Sequence, residues 1–349
     1  MRDIRAFGGE PSLSFMQDFL ELREQETENI TYSMLAISGG GANGAFGAGL
    51  LNGWTQNGSR PVFKVVTGIS TGAIIAPLAF LGSEYDDKLR EFYTKYSTKD
   101  ILSRRSFLRA LLGDSLASSR PLERLIERNF DMRLMERVAA EHKKGRRLYV
   151  GTTNLDTQQS VVWDMGKIAC RGDERALRLF RKIVLASASI PVVFPPVYLS
   201  VEASGLSYDE MHVDGGIARQ VFFLYDVIQG IDKAAERRHI DASGVRYKIY
   251  IIRNGYAEAV PREVQDNLVS IAGRAVDTIV KYQGIGDIYQ LYLFTQKGRG
   301  EFNLAYIPSD YKRREKEPFD TTAMRELFEL GFQEAKKGYA WKKVPPGLE

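Results

Sequence analysis

Short apolar runs alternate with stretches of helical period along most of this chain. Met34-Leu35-Ala36-Ile37 has the length and content of a buried strand. A glycine-rich stretch follows over 38–49, and residues 44–54 read as a helix. A second run, Val62-Phe63-Lys64-Val65-Val66, leads into Gly68-Ile69-Ser70-Thr71-Gly72 and then a helix-like stretch over 73–81. Residues 86–130 look helical throughout, with Pro121 opening one helix. The strand rhythm returns at 147–153 and 159–163, before a helical pattern over 175–186. Pro191, Pro195 and Pro196 then force a loop. Residues 247–252 form a further apolar run, and 262–293 and 322–336 read as long peripheral helices. Residues 1–31 are polar and mixed, with a short amphipathic stretch over 15–22, and read as an arm lying on the domain. Strands alternating with helices predict an α/β fold, a mostly parallel central sheet with helices on both faces. With no repeat, low-complexity segment or linker, residues 32–349 read as one domain. It carries a helical insertion at about 86–145 and a C-terminal strand and helices over 245–349.

Composition narrows the classes without choosing among them. The chain has 349 residues, 44% hydrophobic and 26% charged, as an ordinary globular protein does. The net charge of +4, from 48 basic and 44 acidic residues, is too balanced to argue for a nucleic-acid partner. It does not oppose contact with an anionic membrane surface. Cys170 is the only cysteine, which excludes an internal disulfide and a cysteine metal cluster. No run approaches the roughly 18 apolar residues of a membrane span. Met1-Arg2-Asp3-Ile4-Arg5 is not followed by the apolar core of a signal peptide. The location is left unknown, with export or membrane association open.

The chemistry concentrates in three segments. Strand, tight Gly-x-Ser-x-Gly turn and helix is the arrangement that lifts a serine hydroxyl out of the chain at the top of a sheet. Ser70 is therefore a candidate nucleophile, with Gly68 and Gly72 permitting the sharp turn. The segment Ser38-Gly39-Gly40-Gly41-Ala42-Asn43-Gly44 follows a strand and opens a helix. Its successive glycines expose backbone N–H groups to an anion, which suits an oxyanion loop. Gly39, Gly41 and Gly44 also fit a dinucleotide-binding Gly-x-Gly-x-x-Gly, but the next strand leads to the serine turn rather than to an acidic residue. No Gly-Lys-Ser/Thr follows, so a P-loop fails as well. For the base there are three histidines. His142 and His239 sit in polar, charged contexts and read as solvated. Met211-His212-Val213-Asp214-Gly215-Gly216 is a short strand with His212 and Asp214 on one face, then a double-glycine turn.

In order, the glycine-rich loop, Gly-x-Ser-x-Gly, Ala-Ser-x-Ser-Ile-Pro-x-x-Phe-Pro-Pro and Asp-Gly-Gly resemble the patatin-like phospholipases over about residues 34–220. Each block is common alone; the ordered set is specific. The resemblance implies a three-layer α/β/α fold and a lipid acyl hydrolase working through a serine–aspartate dyad. It implies Ser70 as nucleophile, Asp214 as base, and amides of Gly39, Gly40 and Gly41 as oxyanion hole, supported by Gly44, Gly68, Gly72, Gly215 and Gly216. One departure is Asn43, where many members carry Arg or Lys; it supplies no positive charge. A free aspartate, with a pKa near 3.9, is a weak base for an alcohol. Asp214 is thus expected to be shielded, hydrogen-bonded to Ser70 and raised in pKa.

The expected substrate is a lipid or other carboxylic ester, with peripheral membrane contact and no nucleic acid; oligomeric state is unread. Val192, Val193 and Phe194 in the 191–197 loop, and the insertion at 107–116, are candidate walls for an acyl channel. In that insertion Arg104, Arg105 and Arg109 alternate with Phe107, Leu108, Leu111 and Leu112, a pattern able to lie on a membrane or simply to pack. The basic run at 312–316 reads as a solvated loop. No His-Glu-x-x-His, calcium loop or cysteine pair is present, so no cofactor is expected and hydrolysis is expected to be metal-independent. Two other classes stay open: an α/β-hydrolase esterase with a serine–histidine pair, and a lipid-binding protein without turnover.

Overall fold

The computed structural model describes residues 3–8, 15, 30–104, 115, 117–203, 205–223, 245–261, 263–297, 300–312 and 314–348. The elements that matter here begin with strand β1 (Arg5–Phe7), β2 (Thr31–Ile37), helix α1 (Gly44–Asn57), β3 (Val65–Ile69), α2 (Thr71–Leu81) and α3 (Asp86–Thr94). Next come α4 (Arg120–Asn129), α5 (Met132–Lys143), β4 (Arg147–Asn154), β5 (Gln159–Asp164) and α6 (Glu174–Ser187). The chain ends with β6 (Val197–Ala203), β7 (Leu206–Asp214), β8 (Arg246–Tyr256), α7 (Leu268–Gln296), β9 (Gly300–Ile307) and α8 (Thr321–Lys336).

The strands form one mixed sheet in the order β1-β5-β4-β3-β2-β8-β9, with β7 attached to β4 and β6 to β7. The centre, from β4 to β9, is parallel, while β1, β5, β6 and β7 pair antiparallel. Both faces are covered, which explains why the central strands read as unbroken apolar runs rather than alternating ones. Leu35, Ile37, Val66, Leu148 and Val150 point into a core shared with α1, α2 and α8. Met34, Ala36, Val65, Tyr149, Ile249 and Ile251 point into a second core capped by Ile288 and Leu291 of α7. This is a three-layer α/β/α architecture with a mostly parallel sheet.

Several details differ from the pattern reading. The second apolar run enters the sheet only at Val65; Val62 is largely exposed, and the strand continues through Thr67 and Gly68 to Ile69. Strands β6 and β9 had no expectation, and only the end of β7 did. On the β6–β7 hairpin Glu202, Tyr208 and Asp209 face solvent and break the apolar signal, and in β9 the exposed Glu301 and buried Asn303 interrupt it. In the N-terminal segment, Arg5–Phe7 pairs as an edge strand on β5. Phe15 is buried and stacks on Tyr149 with ring centroids 5.3 Å apart; the rest of the amphipathic stretch lies outside the described residues. So do 105–114 of the insertion, whose described part holds α3, α4, α5 and a two-stranded ribbon, Ser103–Arg104 with Ala117–Ser118.

Helix α1 rests on α8 through bare backbone. A β-carbon on Gly49 would stand 1.9 Å from the Phe328 carbonyl oxygen, and one on Gly53 2.1 Å from that of Phe332. The glycines of this stretch therefore serve two purposes, an exposed loop at its start and close helix packing further on. Gly49→Ala must push two main chains apart, an overpacking that costs about 1–3 kcal/mol. It should lower Tm by several degrees in thermal melts, while Gly58→Ala, where the β-carbon meets nothing but φ is +79°, loses stability through backbone strain instead.

Candidate active site

Strand β4 carries two partners on one edge. β3 pairs with it in parallel from Val65↔Arg147 to Ile69↔Gly151, and there β3 ends. The following residue of β4, Thr152, pairs instead with Asp214, the last residue of antiparallel β7. Two strands thus arrive from opposite directions and abut end to end. Ser70 leaves the first and Asp214 closes the second, so residues remote in sequence become neighbours at that junction.

The turn at Ser70 is strained as a nucleophile elbow requires. Ser70 has φ 56° and ψ −123°, outside the regions that L residues favour. A β-carbon on Gly68 would lie 2.2 Å from the Gly72 carbonyl oxygen, and one on Gly72 2.2 Å from that of Ile37. The Ser70 N–H donates to Ser187 Oγ at 2.9 Å, and that hydroxyl donates to the Gly151 carbonyl at 2.6 Å. Ser187 thereby ties the elbow to β4. Its place in the Ala-Ser-x-Ser block was visible in the sequence; its partner was not.

Asp214 is buried, 5% exposed, as Ser70 is. The Gly216 N–H donates to Asp214 Oδ1 at 2.7 Å. Oδ2 makes no hydrogen bond of ordinary distance and angle, although the Ser70 hydroxyl is close enough to favour the charged carboxylate. Such bonds are often loose without substrate and tighten with it. Burial dominates and pushes the carboxyl up to about 7, against the smaller pull of the Ser70 hydroxyl and the Gly216 N–H. A carboxylate of that proton affinity is suited to take a proton from an alcohol near neutral pH.

The glycine loop lies against the serine. A β-carbon on Gly39 would be 3.2 Å from Ser70 Cβ, and Gly41, at φ +55°, lines the cavity described below. Among the described residues the N–H groups of Gly39, Gly40 and Gly41 have no acceptor. Asn254 of β8 pins this loop: its N–H donates to Ser38 Oγ at 2.8 Å, and its Nδ2 to the Ser38 carbonyl at 3.0 Å. Its Oδ1 accepts from the Gly47 N–H at 3.1 Å. No sequence signal marked Asn254, because it lies in an ordinary strand far downstream.

The histidines stand elsewhere. His212 is fully buried with both ring nitrogens engaged, Nδ1 with Thr152 Oγ1 at 2.9 Å and Nε2 with Glu210 at 3.1 Å. His142, expected in solvent, is half-buried against Gly166 and 3.7 Å from Asp164, and burial depresses its pKa to about 3. His239 lies outside the described residues. Among the described residues no three His, Cys, Asp or Glu side chains gather as a metal site.

A cavity of about 460 Å³, counting the open space at its mouth, adjoins Ser70 and is almost wholly apolar. Ile190 and Phe194 of the proline loop line it, whereas Val192 points out and is 65% exposed. The remaining wall comes from Phe92, Ile101 and Leu122, and from Phe319 and Met324 near the start of α8. The Thr98 hydroxyl accepts from the Phe319 N–H at 3.2 Å, and the Thr321 hydroxyl donates to the Tyr96 carbonyl at 3.1 Å, holding that corner in place.

The model of the family described as Patatin-like phospholipase matches residues 35–226, over half of the chain. Comparison with curated proteins finds no match. Among solved structures, VipD from Legionella pneumophila is similar at 12% identity and TM-score 0.42, over 88% of this chain and 67% of that one.

The raised Asp214 pKa has a consequence for stability. Its folded value lies above the unfolded one near 3.8, so its contribution is intact below about pH 4 and is lost as pH rises through about 7. Asp214→Asn removes an ionisable group that is disfavoured when charged. Its Tm should exceed wild type by several degrees at pH 8 and converge with it near pH 4; equal offsets at both pH values would contradict the shift.

Proposed function

The chain belongs to the patatin-like phospholipase family, whose members are lipid ester hydrolases, and on that premise we propose an acyl-enzyme mechanism on Ser70 for this protein. Asp214 is the general base, and the amides of Gly39, Gly40 and Gly41 receive the oxyanion. The observation that carries the reading is the apolar cavity opening directly on Ser70, with a high-pKa carboxylate beside the serine.

In the first half-reaction Ser70 Oγ bonds to the ester carbonyl carbon while its proton passes to Asp214. The carbonyl electron pair moves onto oxygen, where the loop N–H groups stabilise it; one such donor is typically worth about 2.7–4 kcal/mol. Collapse of this intermediate expels the alcohol, which takes the proton from Asp214. Water then attacks the acyl-enzyme with Asp214 as base, freeing the fatty acid and restoring Ser70. The acyl chain occupies the cavity between Phe194, Leu122 and Phe319, so the substrate class is lipid acyl esters. No helix among the described residues is long and apolar enough to cross a membrane. A serine–histidine pair through His212 is less well supported, since both of its ring nitrogens are already engaged; His239, the histidine late enough in the chain for that alternative, lies outside the described residues.

Labelling with a fluorophosphonate probe, read beside mass-spectrometric products from a lipid panel, tests this reading. Wild type should label and release fatty acids, and Ser70→Ala should do neither; a labelled, active alanine variant would refute it. Phe319→Ala, which lengthens the cavity, should move the kcat/KM optimum toward longer acyl chains in a series of p-nitrophenyl esters.

A further inference from the structure

Gln220 is 7% exposed and lies six residues beyond Asp214, in a stretch with no assigned role. Its amide stands between the two halves of the candidate site. Nε2 donates to the Gly216 carbonyl at 2.8 Å, closing the turn whose own N–H holds Asp214 Oδ1. A β-carbon built on Gly216 would stand 2.4 Å from that Nε2 and 2.9 Å from Asp214 Oδ1, so amide and carboxylate are near neighbours. On the other side Oε1 is turned to Gly39: a β-carbon there would lie 3.1 Å from it and 3.2 Å from Ser70 Cβ. One side chain is therefore hydrogen-bonded to the base-bearing turn and stands close to the glycine loop.

Its own position is set from behind. The Gln220 N–H donates to Asp287 Oδ2 of α7 at 2.7 Å, and the neighbouring Val221 N–H to the same oxygen at 3.3 Å. Gly284 of α7 leaves room for Gln220 Cβ and the Arg253 guanidinium of β8. Asp287 and Arg253 are thus the charged groups packed on it from other elements. Asp214 and Arg219 come from its own segment, and Arg219 turns outward to donate to Gln290 at 3.2 Å. Helix α7 and strand β8 lie beyond residues 35–226, so this contact joins the C-terminal part of the chain to the site.

We propose that Gln220 is a positioning residue that locks the Asp214 turn to the oxyanion loop and transmits the placement of α7 to both. The inference rests on the Ser70–Asp214 reading. With glutamine the bridge is neutral and independent of pH. A glutamate there can donate to the Gly216 carbonyl only while protonated. Burial and the facing Gly216 carbonyl oxygen push its pKa above the ordinary value near 4.3, against the pull of the nearby Arg253 guanidinium. Once it ionises, the Gly216 carbonyl loses its donor and a negative charge stands beside the loop that must receive the oxyanion.

The test is kcat and KM against pH for a p-nitrophenyl ester, using the full chain with Gln220→Glu, Gln220→Leu, Ser70→Ala and Asp214→Asn. Gln220→Leu should lower kcat about tenfold at every pH, the scale of one buried hydrogen bond, with KM within about twofold. Gln220→Glu should lose kcat as pH rises through the ionisation of the new carboxyl, a falling limb that wild type lacks and that a merely structural role would not introduce. Wild-type kcat and profile in both Gln220 variants, or a loss confined to KM, overturns the proposal. If Gln220→Leu fails to fold by circular dichroism, the nearly isosteric glutamate variant decides alone. Turnover persisting in Ser70→Ala or Asp214→Asn would sink the dyad reading instead, so the two failures are told apart.

Discussion

Everything at the candidate site follows from how one edge of β4 is shared. Backbone pairing to β3 stops at Gly151 and pairing to β7 starts at Thr152. A strand ladder is built from short, directional hydrogen bonds, so two strands that share an edge without a gap must bring their ends into contact. Had β7 paired one residue further along, its side chains would have exchanged faces, and the carboxyl would have left the serine.

Strain and burial at that junction oppose the stability of the fold and favour the proposed chemistry. Ser70 is held in an unfavourable backbone conformation by the Ser187 hydroxyl and by two glycines with no room for a side chain. Asp214 is enclosed until its proton affinity approaches that of a base useful at neutral pH. Neither feature would persist on a surface loop, where water would solvate the carboxylate and the turn would relax. A sheet buried on both faces, with α1 seated tightly on α8, supplies the rigidity that both require.

The part of the chain beyond the family match contributes more than a cover. Asn254 fixes the start of the glycine loop, Phe319 and Met324 complete the apolar wall, and Asp287 holds the backbone of Gln220. These contacts make the shape of the apolar cavity a property of this chain's own C-terminal segments as well as of the shared motifs.

Local order along the polymer was enough to read the α/β class, the elbow at Ser70, the glycine loop and the turn at Asp214. Each is a short-range device: apolar runs, glycines where backbones must approach, and a serine between a strand and a helix. What escaped that reading depends on contacts between distant segments. The exposed hairpin strand β6 and strand β9 carry polar residues that blur the pattern, and Val62 lies outside the strand despite its apolar neighbours. The solvent expected around His142 is replaced by packing against Gly166. Asn254, Ser187 and Gln220 look like ordinary polar residues until folding buries them, because a hydrogen bond across the sheet leaves no periodic trace in the order of amino acids. Only the assembled sheet, by ending β3 and β7 at adjacent residues of β4, decides that Ser70 and Asp214 meet.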